Sequence, residues 1–211
     1  MTEDLGKVLE RCWEELCATY KLRRGQSPFL SEADVHHALA ALLEREKIGD
    51  VHIEFPLPMD PSRLWEQIEW FGRVGLGKGY YRADICVLEG ATVRLIVEIR
   101  WMPAILLPIE FLENITGTST EQHKLVRERL DKMRRRYAKA APQWYRDKLL
   151  RNIDKFLDLL RKYGEEYEEV RGYLCILDEL CPSIKEQVSN WLAKLNIPLP
   201  RNFHVLANYV E

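Results

Sequence analysis

Apolar residues recur at helical spacing from the start of the chain. Leu5, Leu9, Cys12, Trp13, Leu16 and Tyr20 fall on one face of a helix over residues 3 to 20, and Arg23-Arg24-Gly25 marks its end. Ser31 has the chemistry of an N-cap, with Val35, Leu39, Leu42 and Leu43 carrying a second amphipathic helix to about Lys47. The period then shortens to two. VHIEFPLP, residues 51 to 58, alternates and ends in prolines, as a strand does. Residues 60 to 79 are ambiguous: PSRLWEQIEWFG fits a short helix, and GLGKG a flexible approach to the next strand.

YYRADICVLEGATVRLIVEIRW, residues 80 to 101, predicts a hairpin through Glu89-Gly90. At strand period Tyr81, Ala83, Ile85 and Val87 share one face, while Asp84 shares the other with Arg82, Cys86 and Leu88. Glu98 follows Thr92–Val97 where the second strand is still covered. Each strand thus carries an acid among residues suited to an interior. Asp84 has a structural alternative, an ion pair with Arg82 or Arg94.

WMPAILLPIEFLENITGTST, broken by Pro103 and Pro108, reads as a long connection. Helices are predicted over residues 119 to 140 and 142 to 163, a buried strand in EVRGYLCILDEL, a helix from Ser183 to Leu195 and a closing strand in NFHVLANYV. The order is α, α, β, β, β, α, α, β, α, β: an α/β chain in one domain over 1–211.

The 211 residues are 46% hydrophobic and 30% charged, as in ordinary globular proteins. No apolar run is long enough for a membrane helix, and the acidic, amphipathic N-terminus does not read as a signal peptide, so a cytoplasmic location is expected. Five cysteines, odd in number and never in Cys-x-x-Cys, argue against a disulfide framework or zinc ribbon. The net charge of −2 conceals one basic stretch: from Lys124 to Arg151 eleven Lys and Arg residues face three acids, a local balance of +8. Such a stretch is either a phosphate-tracking surface or a solvated helix face.

A helix, a three-strand meander, a crossover helix and a further strand form the core of the restriction-endonuclease-like fold. Within that order, Asp84-x13-Glu98-Ile99-Arg100 resembles the signature of the PD-(D/E)XK nuclease superfamily, over roughly residues 30 to 180. The resemblance implies an αβββαβ core with a mixed central sheet flanked by helices, preceded by a helical extension (1–25) and followed by a helix and strand (181–211). It implies a metal-dependent nuclease hydrolysing DNA, RNA being a further possible substrate, with Mg²⁺ or Mn²⁺ held by Asp84, Glu98 and the Ile99 carbonyl. Glu32, early in SEADVHHALAALL, is the candidate third acid, with Glu44 and Glu54 behind it; His36 and His37 read as helix surface.

Two acids on adjacent strands suit this chemistry, because phosphodiester hydrolysis needs a divalent ion to generate hydroxide and offset phosphoryl charge. One position departs from the family pattern. Where the signature has lysine this chain has Arg100, which stays protonated and cannot act as a base but can bind phosphate bidentately. Three consequences are open: Arg100 supplies only the electrostatic part, a lysine elsewhere reaches the site, or the site does not cleave. Lys78 and Lys124 are the nearest lysines by topology, and Gln122 joins Lys124 as a candidate because EQHKL resembles the polar start of that helix in some family members. Lys78, Arg127, Arg134 and Arg135 are the candidate nucleic-acid contacts. The rival reading is a nuclease-fold protein that binds nucleic acid or a protein partner without cleaving. Apolar side chains in WMPAILLPIEFL further suggest a homodimer through Trp101–Leu112; folding of that loop over the crossover helices is the alternative.

Overall fold

The computed structural model describes residues 4–23, 31–64, 79–103 and 120–210, with backbone alone at 21–23, 120–123 and 126. Helices α1 (Leu5–Arg23) and α2 (Glu32–Arg45) precede strand β1 (Asp50–Pro58), and strands β2 (Tyr80–Glu89) and β3 (Thr92–Met102) form the hairpin. Helices α3 (Thr120–Lys139), α4 (Gln143–Leu149) and α5 (Ile153–Glu166) lead to β4 (Arg171–Asp178), α6 (Ile184–Ala193) and β5 (Phe203–Tyr209). Ser31 donates its backbone N–H to Asp34 Oδ2 at 2.8 Å, fixing the start of α2.

The five strands make one sheet in chain order, β1-β2-β3-β4-β5. β1, β2 and β3 run antiparallel as a meander, whereas β3, β4 and β5 are parallel. Parallel neighbours need crossovers, which α3 to α5 and then α6 provide. Helices α1 and α2 cover one face, packing Leu9, Trp13, Leu16 and Leu39 on Val97, Ile99 and Cys175. On the other face Tyr145, Phe156 and Leu160 pack with Ile96, Leu174 and Ile176. The result is a five-stranded mixed sheet between helical layers. Among the described residues no helix is long and apolar enough to cross a membrane, and the five cysteines are buried and unpaired.

The backbone differs from the sequence reading in two places. The helix expected over 142 to 163 is two helices, because Asn152 adopts a left-handed backbone, φ +60°, between α4 and α5; asparagine tolerates this better than most residues. Second, the faces of the meander switch. Val51 and Ile53 face the α1/α2 layer but Phe55 and Leu57 the opposite core; likewise Ile85 and Val87 face α1/α2 but Tyr81 and Ala83 the other side. The switch falls at Glu54, whose φ is +54°, and at Asp84 on the neighbouring strand. Trp101, Met102 and Pro103, the first residues of the stretch considered as a dimer surface, are buried in this chain; the rest of Trp101–Leu112 lies outside the described residues.

Asp178, at the end of β4, is fully buried and accepts the backbone N–H groups of Leu180 and Cys181 at 2.7 and 2.6 Å, together with the Tyr145 hydroxyl of α4. Burial lifts its pKa to about 6. This carboxylate holds α4 against the strand ends.

Gly172 of β4 lies so close to the fully buried Leu160 of α5 that a Cβ would overlap its methyl groups. Gly172→Ala is expected to destabilise the fold by about 1–3 kcal/mol, read as a lower urea midpoint at unchanged slope.

Candidate active site

The β2–β3 ladder runs from Glu89–Thr92 to Ile85–Val97 and has no further pair beyond that point among the described residues. The next residues along are Asp84 and Glu98. Where a ladder bond would continue, Asp84 Oδ2 accepts the Ile99 N–H at 2.7 Å. The side chain thus satisfies a backbone donor that the strand separation leaves free. Glu98, on the same face of β3 as Ile96, is 4% exposed, unusual for a glutamate without a cation beside it.

Arg100 supplies the cation. Its Nη1 donates to the Ile99 carbonyl at 2.7 Å and lies 3.0 Å from Glu98 Oε2 and 3.6 Å from Asp84 Oδ2. Its Nη2 donates to the Arg151 carbonyl at 3.0 Å, in the turn between α4 and α5. Two carboxylates and one backbone oxygen therefore surround one nitrogen. Glu98 Oε1 remains buried without a well-formed hydrogen bond. Among the described residues no group of three or more His, Cys, Asp or Glu side chains is arranged to hold a metal ion; the convergence here needs the Ile99 carbonyl.

Burial raises the Glu98 pKa to about 7, and the Asp84 charge adds to the rise while Arg100 and the Tyr81 hydroxyl oppose it. Asp84 is also raised by burial, less the effect of the Ile99 N–H and of nearby His36 and Arg100. Desolvation therefore disfavours the charged form of both acids.

Glu32 stands in the first turn of α2, and its Oε2 accepts the Trp101 N–H at 3.1 Å, pinning α2 to β3 beside the carboxylates. One turn on, His36 is buried, not on the helix surface as the sequence suggested, and its Nε2 lies 3.8 Å from Asp84 Oδ2. Burial lowers its pKa, and the charges of Asp84 and Glu32 oppose the fall. The signal was available in the spacing, since His36 continues the stripe of Glu32, Leu39 and Leu43.

These groups open on a cavity of about 310 Å³. Its acidic floor is Asp84 and Glu98, with Arg100 between them and Glu32 at the rim; its far wall is Lys148, Arg151, Asn152 and Lys155. The sequence did not single out this wall: Lys148 and Arg151 stood within the general basic run and Lys155 lay beyond it, because only the break at Asn152 turns all three toward the sheet. No known family model, curated protein or solved structure matches the chain.

The structural alternatives for Asp84 do not occur: Arg82 pairs with Glu54, and Arg94 with Glu89 and Glu169 at 3.1 and 2.5 Å. Lys124 is exposed on α3 and does not line the cavity, nor do Glu44 and Glu54. Lys78 and the Gln122 side chain lie outside the described residues. Arg127 and Arg135 are exposed on α3. Arg134 is not presented to solvent: its Nε donates to the Glu179 carbonyl at 3.1 Å and its guanidinium lies 5.7 Å from the Tyr209 ring centre. A larger hollow of about 1160 Å³ lies at the opposite end of β3, but Arg94 and Arg171 in it are already paired with acids.

A raised carboxylate pKa means that the fold favours protonated Glu98. Its contribution to stability is complete below the ordinary value of 4.5 and is lost as pH rises through about 7. Glu98→Gln lacks this loss, so its stability relative to the natural chain should rise by roughly 3 kcal/mol between pH 4 and pH 8. Parallel urea titrations in chelator measure the difference; curves that track one another across this range would contradict the raised pKa.

Proposed function

We propose that the chain is a metal-dependent nuclease of the PD-(D/E)XK type acting on DNA, with RNA as a further candidate substrate. The observation that carries the reading is the convergence of Asp84, Glu98 and the Ile99 carbonyl on one cationic nitrogen. The order of a helix, an antiparallel three-strand meander and a crossover to a parallel fourth strand supports the restriction-endonuclease-like core.

The donor set fits a hard divalent cation. It consists of oxygens alone, as Mg²⁺ and Mn²⁺ prefer, and Glu98 Oε1 is a buried acceptor without a well-formed hydrogen bond. Asp84, Glu98 and the Ile99 carbonyl would hold the ion, with Glu32 at the rim. When bound, the ion supplies the Lewis acidity that makes hydroxide available near neutral pH and offsets phosphoryl charge. Asp84 holds the Ile99 peptide in place through its N–H, and Arg100, once released from the carboxylates, is a bidentate partner for phosphate. Arg100 cannot take a proton, so it serves as an electrostatic group only.

The same contacts favour one alternative. If Arg100 is the permanent counter-ion of the two acids, the chain binds nucleic acid or a protein partner without cleaving.

Cleavage of single-stranded, duplex and branched DNA with Mg²⁺ or Mn²⁺ tests the nuclease reading. Asp84→Ala and Glu98→Ala should each lower the rate by about a hundredfold or more, matching the several kcal/mol of charge stabilisation that a divalent ion provides. Absence of cleavage on every form favours the alternative.

Calorimetry addresses Arg100 directly. Mn²⁺ should bind the natural chain, fail to bind Asp84→Ala, and bind Arg100→Ala about tenfold more tightly, a gain of about 1.4 kcal/mol from removing a competing cation. Arg100→Lys should keep or raise cleavage, because a compact ammonium leaves the oxygens more accessible than a planar fork does. Absence of a Mn²⁺ site in both the natural chain and Arg100→Ala would remove the metal from the proposal.

A further inference from the structure

Opposite the carboxylates, the α4–α5 turn brings three cations to one wall of the cavity. Lys148 is in the last turn of α4, Arg151 lies in the turn, and Lys155 is in the first turn of α5. Among the described residues none of the three has an ion-pair partner, although acids are plentiful nearby: Asp147 is engaged by Gln143 at 2.8 Å, and Asp158 by Lys162 at 2.9 Å. Lys155 also opposes the helix dipole, which disfavours a cation at an N-terminus. Local helix stability therefore does not explain the placement of Lys155. Facing it, the Glu98 carboxylate lines the same cavity, with its Oε1 buried.

Trp144 extends the wall outward. It lies one helical turn before Lys148 and shares its flank of α4, since Tyr145 and Leu149 occupy the buried side. The indole is 50% exposed, in edge-to-face contact with Tyr145 at 5.8 Å and Tyr137 at 6.4 Å. A single exposed indole needs no special cause. One fixed by two tyrosines beside a row of unpaired cations has the composition of a stacking platform next to a phosphate track.

We infer that Lys148, Arg151 and Lys155 bind the phosphates of a single-stranded polynucleotide beside the carboxylates and that Trp144 stacks one of its bases. The inference rests on the nuclease reading and names its substrate class. Phosphates would be repelled by Asp84 and Glu98 alone, and the opposite wall supplies the compensating charge. A base already stacked and paired in a duplex offers no free face to Trp144, whereas an unpaired base does.

Fluorescence anisotropy with a labelled oligothymidine of about 12 nucleotides, and a duplex of equal length, tests the ledge on the full chain, with chelator present to prevent cleavage. The natural chain should prefer the single strand. Lys148→Ala with Lys155→Ala should weaken single-strand binding and lower its log–log salt slope by about 0.7 for each phosphate no longer neutralised. Trp144→Ala should weaken single-strand binding by about tenfold or more and leave the duplex unaffected, while Trp144→Phe retains binding. Far-ultraviolet circular dichroism and thermal melts check that each variant folds. Single-strand binding unchanged in the lysine pair or in Trp144→Ala overturns the ledge, and so does a preference for the duplex; metal-dependent cleavage abolished by Asp84→Ala would then leave the nuclease reading standing. Absence of binding to either form also overturns the ledge, and the cleavage assay with Mg²⁺ or Mn²⁺ decides the nuclease reading separately.

Discussion

Two carboxylates beside one another in a protein interior cannot both be charged unless something positive lies between them, and the arrangement around Arg100 follows from that constraint. Desolvation alone lifts Glu98 and Asp84 toward protonation. The guanidinium opposes it by contacting both acids and the Ile99 carbonyl at once. Its other nitrogen reaches the Arg151 carbonyl, so the ion that neutralises the site also joins β3 to the α4–α5 turn. A lysine could offset the charge but could not span both sides with fixed geometry.

The sheet makes room for that ion by breaking its own regularity. Glu54 turns into the left-handed region opposite Asp84, both strands exchange faces there, and the β2–β3 ladder ends at the following pair. A regular ladder would place Glu54 and Asp84 side by side as like charges, which cross-strand pairing disfavours. The twist instead gives Glu54 to Arg82 and leaves Asp84 free to take the Ile99 N–H. Local backbone strain at Glu54 is thus coupled to the opening of the site.

The basic stretch divides under the same logic. Arg134 is drawn inward to the Glu179 carbonyl and the Tyr209 ring, where it fastens α3 to the strand ends. Arg127 and Arg135 remain on the outer surface. Lys148 and Arg151 reach the cavity because Asn152 breaks the helix and Asp178 holds α4 through Tyr145. Equal residues in one run therefore have three different fates, decided by which carbonyls, rings and acids the fold sets nearby.

Hydrophobic periodicity by itself determined the element order and the helix and strand types, because spacing along one segment already defines which face it must bury. It also brought Asp84, Glu98 and Arg100 to notice, since acids within apolar strands are conspicuous one residue at a time. It placed His36 on the surface, grouped Tyr81 and Ala83 with Ile85, and joined α4 to α5, and in each case the tertiary structure decided otherwise. Pairing of β1 with β2 turns one half of each strand over, and packing on β2 and β3 carries His36 under cover. The gathering of Lys148, Arg151 and Lys155 opposite Glu98 joins residues about fifty positions apart. No local period encodes such a meeting, because it depends on how distant segments cross and where one asparagine ends a helix.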